Sequence, residues 1–356
     1  MPHVRRPRLP AEWEPQAGVM LTWPHADGDW GDALGEITRF FRRIGVEIAS
    51  RETLLNVCFS PTHAAEIREQ LRHAGAPNER TLFAIAASDD SWARDHGPLT
   101  TLLGQTPVLN DFTFNGWGGR FAATKDTAIT GGLSAQGTFA TAKLQPRDLV
   151  LEGGAVETDG QGTLLATRRS ILGSDRNPGL DITAVEHRLA EWLGIERFLW
   201  LDHGALEGDD TDSHIDTLAR FVDPQTIVFV TAETDDPDFT ELDQMRRQLA
   251  GFRDRKGRGY RLLPLPPAGG RHAADGRRLP ASYANFLIIN GAVLFPSYGC
   301  AADARARRVV EQAMPDHAIV SVDCRTPIEQ NGSLHCLTMQ FPAGLVLRDT
   351  AQSIPA

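Results

Sequence analysis

The chain has 356 residues, with 36 Lys plus Arg against 46 Asp plus Glu, a formal net charge of −10 and an apolar content of 41%. That apolar fraction supports a sizeable core and argues against a disordered chain. The acidic balance, with no basic stripe, argues against a nucleic-acid partner and leaves room for a cationic small molecule. Along the chain, strands and amphipathic helices alternate. Gly18–Trp23 reads as a strand, after which Leu34, Ile37, Phe40, Phe41, Ile44 and Ile48 recur at helical spacing. Leu54–Phe59 is the next strand, followed by a helix that begins near Pro61 and stops at Gly75, in keeping with the asymmetry of helix ends. Thr163–Ala166 and Phe198–Leu201 read as strands around a helix bearing Ile182, Val185, Leu189, Trp192 and Leu193. Ile227–Val230, a helix over Phe239–Leu249, and Arg261–Leu265 repeat that order. Ala284–Phe295 predicts two strands turning at Asn290-Gly291, and a helix near Arg305–Met314 and the strand Ala318–Val322 follow.

A unit of one or two strands, a helix and a closing strand therefore recurs about every 60–70 residues, without a residue-level repeat. Gly251–Gly276, rich in Gly, Pro and Arg, reads as a surface excursion, and the chain is expected to form one α/β domain. Residues 1–12 begin basic but carry no apolar run, so no signal peptide is expected, and no segment is apolar enough for a membrane span. Cys58, Cys300, Cys324 and Cys336 form no CxxC pair and no disulfide framework. A reduced, cytoplasmic protein is expected.

Four segments concentrate polar residues beside strand ends: Asp89–Pro98, Leu151-Glu152-Gly153-Gly154, Asp209–Asp216 and Asn331–Thr338. They contain carboxylates, histidine and cysteine, the parts of covalent hydrolysis through a thiolate. Cys336 reads either as a small buried residue at the start of a strand or, following a flexible Asn-Gly segment, as a nucleophile at a strand mouth. The 209–216 loop reads as a solvated turn, as a cation loop, or as a source of acid–base groups. The EF-hand reading fails because the sixth and twelfth positions from Asp210 are Ile215 and Phe221 rather than Gly and Glu. Zinc lacks a second histidine at ligand spacing. In an extended segment His214 and Asp216 point to one side. Glu152 is either incidental to a glycine turn or functional, and Trp92 is either core or a ligand platform.

Taken together and in order, these segments resemble the agmatine deiminase family, a bacterial group that includes the bacterial type of peptidylarginine deiminase. The resemblance runs nearly end to end, through Leu9–Pro15, Thr22-Trp23-Pro24, Asp90–Pro98, Asn115-Gly116-Trp117-Gly118, Glu152-Gly153-Gly154, Asp209–Asp216 with Ala219-Arg220-Phe221, Ser282–Asn285 and Gly332–Gln340. It implies the pentein fold, an α/β propeller of five ββαβ-like modules around a pseudo-fivefold axis, as a single catalytic domain over 1–356.

Carried over by motif, the resemblance implies Cys336 as nucleophile, His214 as general acid/base, Asp95 and Asp216 as clamps for a guanidinium, and Glu152 as the group that orients and charges the histidine. Trp92, Trp117, Asp210 and Asn285 complete the expected substrate-binding set. The implied reaction converts agmatine and water to N-carbamoylputrescine and ammonia, with no metal or organic cofactor required. Deimination of free arginine or another guanidine is the alternative, and a non-catalytic polyamine binder a more distant one. Asp210 stands where well-known members carry a glutamate, and Ser333-Leu334 where many carry glycines. Arg120 or Arg220, if either reached the site, would favour a substrate bearing a carboxylate. The expected partner is a small cationic guanidino compound, with no nucleic acid or membrane, and a homo-oligomer is a fair prior.

Overall fold

The structure, a computed structural model, describes residues 6–351. It divides into two compact units, one running to Gly153 with Glu191–Gly194 and the segment from Leu337, the other comprising Gly154–Ala190 and Ile195–Cys336.

In the first unit, one sheet has the order Thr338–Pro342, Gln16–Thr22, Thr53–Cys58, Thr81–Ile85. The first pair is antiparallel, with Met339 opposite Met20, and the next two pairs are parallel. Parallel neighbours need a crossover, and helices Leu34–Ala49 and Pro61–His73 supply it. The first of these buries Ile37, Phe40, Phe41, Ile44 and Ile48, five of the six residues whose spacing predicts it. The second begins where Ser60 accepts the His63 N–H at 3.2 Å and Pro61 fills a position needing no backbone donor. The other sheet runs Pro7–Arg8, Leu99–Leu103, Thr106–Thr113, Lys143–Val150. Lys143–Val150 has no sequence signal, because its largely exposed residues include Pro146 and three charges.

The second unit repeats one pattern three times. Glu157–Thr158, Ala219–Asp223 and Leu287–Ile289 each pair antiparallel with the following strand, Thr163–Thr167, Thr226–Val230 or Ala292–Ser297. Each of those then pairs parallel with a strand reached through a helix, Arg197–Leu201, Arg261–Leu265 or Ala318–Asp323. Both sheets of the first unit contain the same antiparallel-then-parallel step, so the strand–helix–strand period in the sequence reports a real repetition of topology. The hairpin expected at Asn290-Gly291 forms, with Ile289 opposite Ala292 and Gly291 at φ +72°. The glycine-rich stretch 251–276 is less irregular than its composition suggests. It holds the strand Arg261–Leu265 and one arm of a small hairpin, Arg271–His272 with Arg278–Leu279. Among the described residues no helix is long and apolar enough to cross a membrane.

Candidate active site

Cys336 lies on a short helical turn, His335–Leu337, just before the strand Thr338–Pro342, and is 6% exposed. Its sulfur is 3.2 Å from the Asn285 amide nitrogen and 3.7 Å from Asp216 Oδ2. Asn285 Oδ1 also accepts the His335 backbone N–H at 2.9 Å, so one buried amide fixes both the chain and the thiol. Asn285 is thus gathered to the cysteine, in the role of a brace. Cys58 and Cys324 are buried, with thiols that burial pushes up, to about 12 for Cys324. A high thiol pKa keeps sulfur protonated and inert.

Asp216 is fully buried and one of its oxygens, Oδ2, lies 2.8 Å from His335 Nδ1. Burial works against the charged carboxylate, but the hydrogen bond from His335 and the positive charges of His335, His214 and Arg220 outweigh it and hold the carboxyl below its ordinary range. An ionised carboxylate only accepts, so the proton in the pair sits on His335 Nδ1. The other oxygen, Oδ1, is buried and has no hydrogen-bond partner among the described residues. His335 is the functional candidate that the sequence reading passes over. Its signal was its place beside Cys336 in the same polar segment.

His214, 1% exposed, comes from the acidic loop, which is neither a solvated turn nor a loose one. Asp209 accepts the Ser213 N–H at 2.7 Å and the Thr211 hydroxyl at 2.6 Å, and Thr211 Oγ1 in turn accepts the His214 N–H at 3.2 Å. Arg176, itself buried, pairs with Asp212 at 2.6 Å. Asp212 and Ser213 hold φ of 63° and 70°, a left-handed conformation that costs a non-glycine residue roughly 1 kcal/mol or more and persists only where neighbours enforce it. The extended path expected through His214 and Asp216 ends at the histidine, since Ile215–Thr217 forms a 3-10 turn that buries Asp216. Asp210 accepts from the Asn331 amide at 2.8 Å, which joins the loop before His214 to the loop before Cys336. Ser333 shares a hydrogen bond of 3.0 Å with the buried Tyr298 hydroxyl.

Arg220 is fully buried, donates to Glu157 at 2.6 Å and to the Phe286 carbonyl at 2.8 Å, and lies over the Phe286 ring. These bonds commit it to the core of the second unit, which removes it as a partner for a substrate carboxylate. Arg120 is exposed in the first unit.

The remaining candidates belong to the first unit. Asp95, 4% exposed on the short helix Ala93–His96, accepts the Trp117 indole N–H at 2.9 Å. Trp117 reaches it from a left-handed backbone, φ 54° and ψ 51°, set by Asn115, whose side chain accepts the Gly118 N–H at 2.9 Å. Glu152 is fully buried. The next residue must be glycine, because a Cβ on Gly153 would stand 2.1 Å from the Arg94 carbonyl oxygen. Gly153 therefore lets the Glu152 segment press against the helix that carries Asp95. Trp92 donates to Asp90 at 2.9 Å and lies against Trp30, with ring centres 5.8 Å apart, so its indole is built into the core. Among the described residues no group of three or more His, Cys, Asp or Glu is placed to hold a metal ion.

A buried sulfur, two buried histidines and an ionised carboxylate with an open oxygen define an α/β thiol site suited to a planar cation. The chain belongs to the Porphyromonas-type peptidyl-arginine deiminase family, whose model matches residues 8–342. It is 31% identical to the agmatine deiminase of Stutzerimonas stutzeri, over 95% of this chain and 96% of that one. Its fold matches a Porphyromonas gingivalis protein provisionally described as an arginine deiminase, with TM-score 0.88 and 45% identity over 96% of this chain and 100% of that one. It also matches a cysteine-to-serine form of C. jejuni agmatine deiminase with substrate bound, with TM-score 0.87 and 31% identity over 96% and 97% of the two chains.

Proposed function

We propose that the protein is an agmatine deiminase, a hydrolase that converts agmatine and water to N-carbamoylputrescine and ammonia through a covalent intermediate on Cys336. The observation that carries this reading is the Asp216 carboxylate. It is fully buried and held ionised, with one oxygen near the sulfur and the other without a donor among the described residues. A buried charge with an unsatisfied oxygen costs free energy unless a donor reaches it, and a guanidinium brings planar, permanently charged N–H groups of the matching geometry. Near-full-length similarity to agmatine deiminases supports agmatine as the source of that guanidinium.

In the reaction, Asp216 and, by the family motif, Asp95 pair with the guanidinium and turn its carbon toward sulfur. The bound cation favours the Cys336 thiolate. Sulfur attacks the carbon to give a tetrahedral adduct. The carbon–nitrogen bond then breaks as His214 supplies a proton, ammonia leaves, and an S-alkylthiouronium remains. His214, now neutral, takes a proton from water, whose oxygen attacks the same carbon. The carbon–sulfur bond breaks as the new hydroxyl gives up its proton to the released ammonia or to solvent, releasing the ureido product and the thiolate. Glu152 orients and charges His214, while Trp117 holds Asp95 in place. Asp210 contributes to substrate binding from its bond with Asn331, whereas Trp92, expected as a platform, is built into the core and is left out of that set. The same reading takes residues 1–356 as a single catalytic domain of five ββαβ-like modules around a pseudo-fivefold axis, acting in a reducing cytoplasm, where its four free cysteines are stable. A homo-oligomer fits the same reading.

Free arginine is the second reading, favoured by the 45% identity to the Porphyromonas gingivalis protein. Against it, Arg220 is fully buried and bonded to Glu157, which supports a structural role over pairing with a substrate carboxylate. The purified protein incubated with agmatine, arginine and a blocked peptidylarginine, with ammonia and ureido product assayed, decides between them. Turnover of agmatine above the others is expected; release from arginine and not from agmatine overturns the substrate assignment.

A further inference from the structure

We propose that His335 is a positioning residue for the substrate clamp: by donating Nδ1–H to Asp216 Oδ2 at 2.8 Å it locks the carboxylate and leaves Oδ1 for the guanidinium. The inference rests on the function proposed above, since it gives His335 a part in binding that same cation. His335 is 1% exposed and its backbone is fixed by Asn285, so the ring has little freedom to swing away from Asp216. Asp216 Oδ2 also lies 3.7 Å from the sulfur, so a rotation of this carboxylate would move the clamp relative to the attacking atom. The ionisable groups facing Asp216 are His335, His214, Arg220 and Cys336. Arg220 is engaged by Glu157, and the motif assigns His214 and Cys336 to the chemistry. His335 is the group whose ring N–H bonds the carboxylate directly, which suits it to orient Asp216 and keep it charged.

The sign of the effect follows from the pair. His335 helps hold the Asp216 carboxyl low, so removing its donor raises the pH at which the clamp loses its charge. His335→Leu is expected to raise KM for agmatine, to lower kcat/KM roughly 10- to 100-fold, the range for a hydrogen bond to a charged group, and to move the acid limb of the kcat/KM profile to higher pH. His335→Asn, whose amide N–H stands near the position of Nδ1, is expected to recover most of the loss and return the limb toward wild type. A purely structural role would reduce the active fraction, lowering kcat while leaving KM and the acid limb in place in both variants, and that result overturns the inference.

Calorimetric binding of agmatine to Cys336→Ser protein separates this from the reading beneath it. Agmatine bound by Cys336→Ser and bound at least ten-fold more weakly by Cys336→Ser/His335→Leu supports the inference. Equal affinity in the two overturns it while leaving the function standing. No binding to Cys336→Ser and no turnover by the wild type overturn the function, and the inference with it.

Discussion

Asn285 turns its amide to the segment around Cys336, with Nδ2 at 3.2 Å from the sulfur and 3.4 Å from the Asp216 carbonyl and Oδ1 on the His335 N–H. Asn285→Ala removes these bonds and leaves the His335 N–H only the longer bond to the Asn285 backbone carbonyl, at 3.3 Å. The expected result is a loss in kcat of roughly 10- to 100-fold, since the interaction with sulfur is strongest when the thiolate forms. A wild-type kcat in a folded Asn285→Ala protein would show that the amide is a bystander. A different kind of residue is Arg220, the fully buried partner of Glu157. Glu157→Ala leaves that guanidinium without its countercharge, and breaking a buried pair on one side costs about 3–5 kcal/mol. A marked fall in the denaturation midpoint is therefore expected. An unchanged midpoint would contradict the structural role given to the pair. At this scale the sequence showed which residue types carry chemistry. It did not distinguish a catalytic charge from a structural one. Arg220 stands beside Phe221 for reasons of packing, whereas His335, which bonds the buried Asp216 carboxylate, looked like a flanking residue.

The elements that carry the site are short and strained where the chain must turn. Gly153 shows this most directly, because its missing Cβ is what permits the approach to the Arg94 carbonyl. Gly153→Ala forces that backbone apart and is expected to lower both thermal stability and activity; a variant matching wild type in both would mean the segment relaxes freely. The loop before Trp92 depends on Asp126, which accepts the Asp89 and Asp90 N–H groups at 2.7 and 3.2 Å. Burial, together with the neighbouring Asp90 and Asp89 charges and against the backbone donors, pushes the Asp126 carboxyl up to about 7. A carboxyl raised on folding binds its proton more tightly in the native state, so its contribution to stability falls as pH rises from the ordinary range near 4 to about 7. Asp126→Asn removes that dependence. In chemical denaturation its stability relative to wild type should improve steadily from pH 4.5 to pH 8, and a difference that stays constant across that range would contradict the assignment. Central strands and long helices were legible because their apolar period is strong. The strand Lys143–Val150 and the hairpin around Arg271 were not, since edge and surface strands carry charge and proline instead of a pattern.

For the molecule as a whole, the recurrence of an antiparallel pair followed by a parallel strand explains why four polar segments far apart in sequence sit at equivalent places, near strand ends. The period was legible in hydrophobic spacing, and the segments in their composition. What spacing could not supply was proximity: that Asn285, Cys336 and Asp216 meet around one sulfur is a property of the folded second unit. The acidic residues divide in the same way: many lie in exposed ion pairs that add nothing to the net charge of −10, while Asp95, Glu152 and Asp216 are buried. The central claim is that agmatine is deiminated through a bond to Cys336, and rapid acid quench followed by peptide mass spectrometry tests it directly. During turnover, the Cys336 peptide should carry an added mass equal to agmatine less ammonia, absent from Cys336→Ala protein, which should release no ammonia. Ammonia release by Cys336→Ala at the wild-type rate would contradict the account.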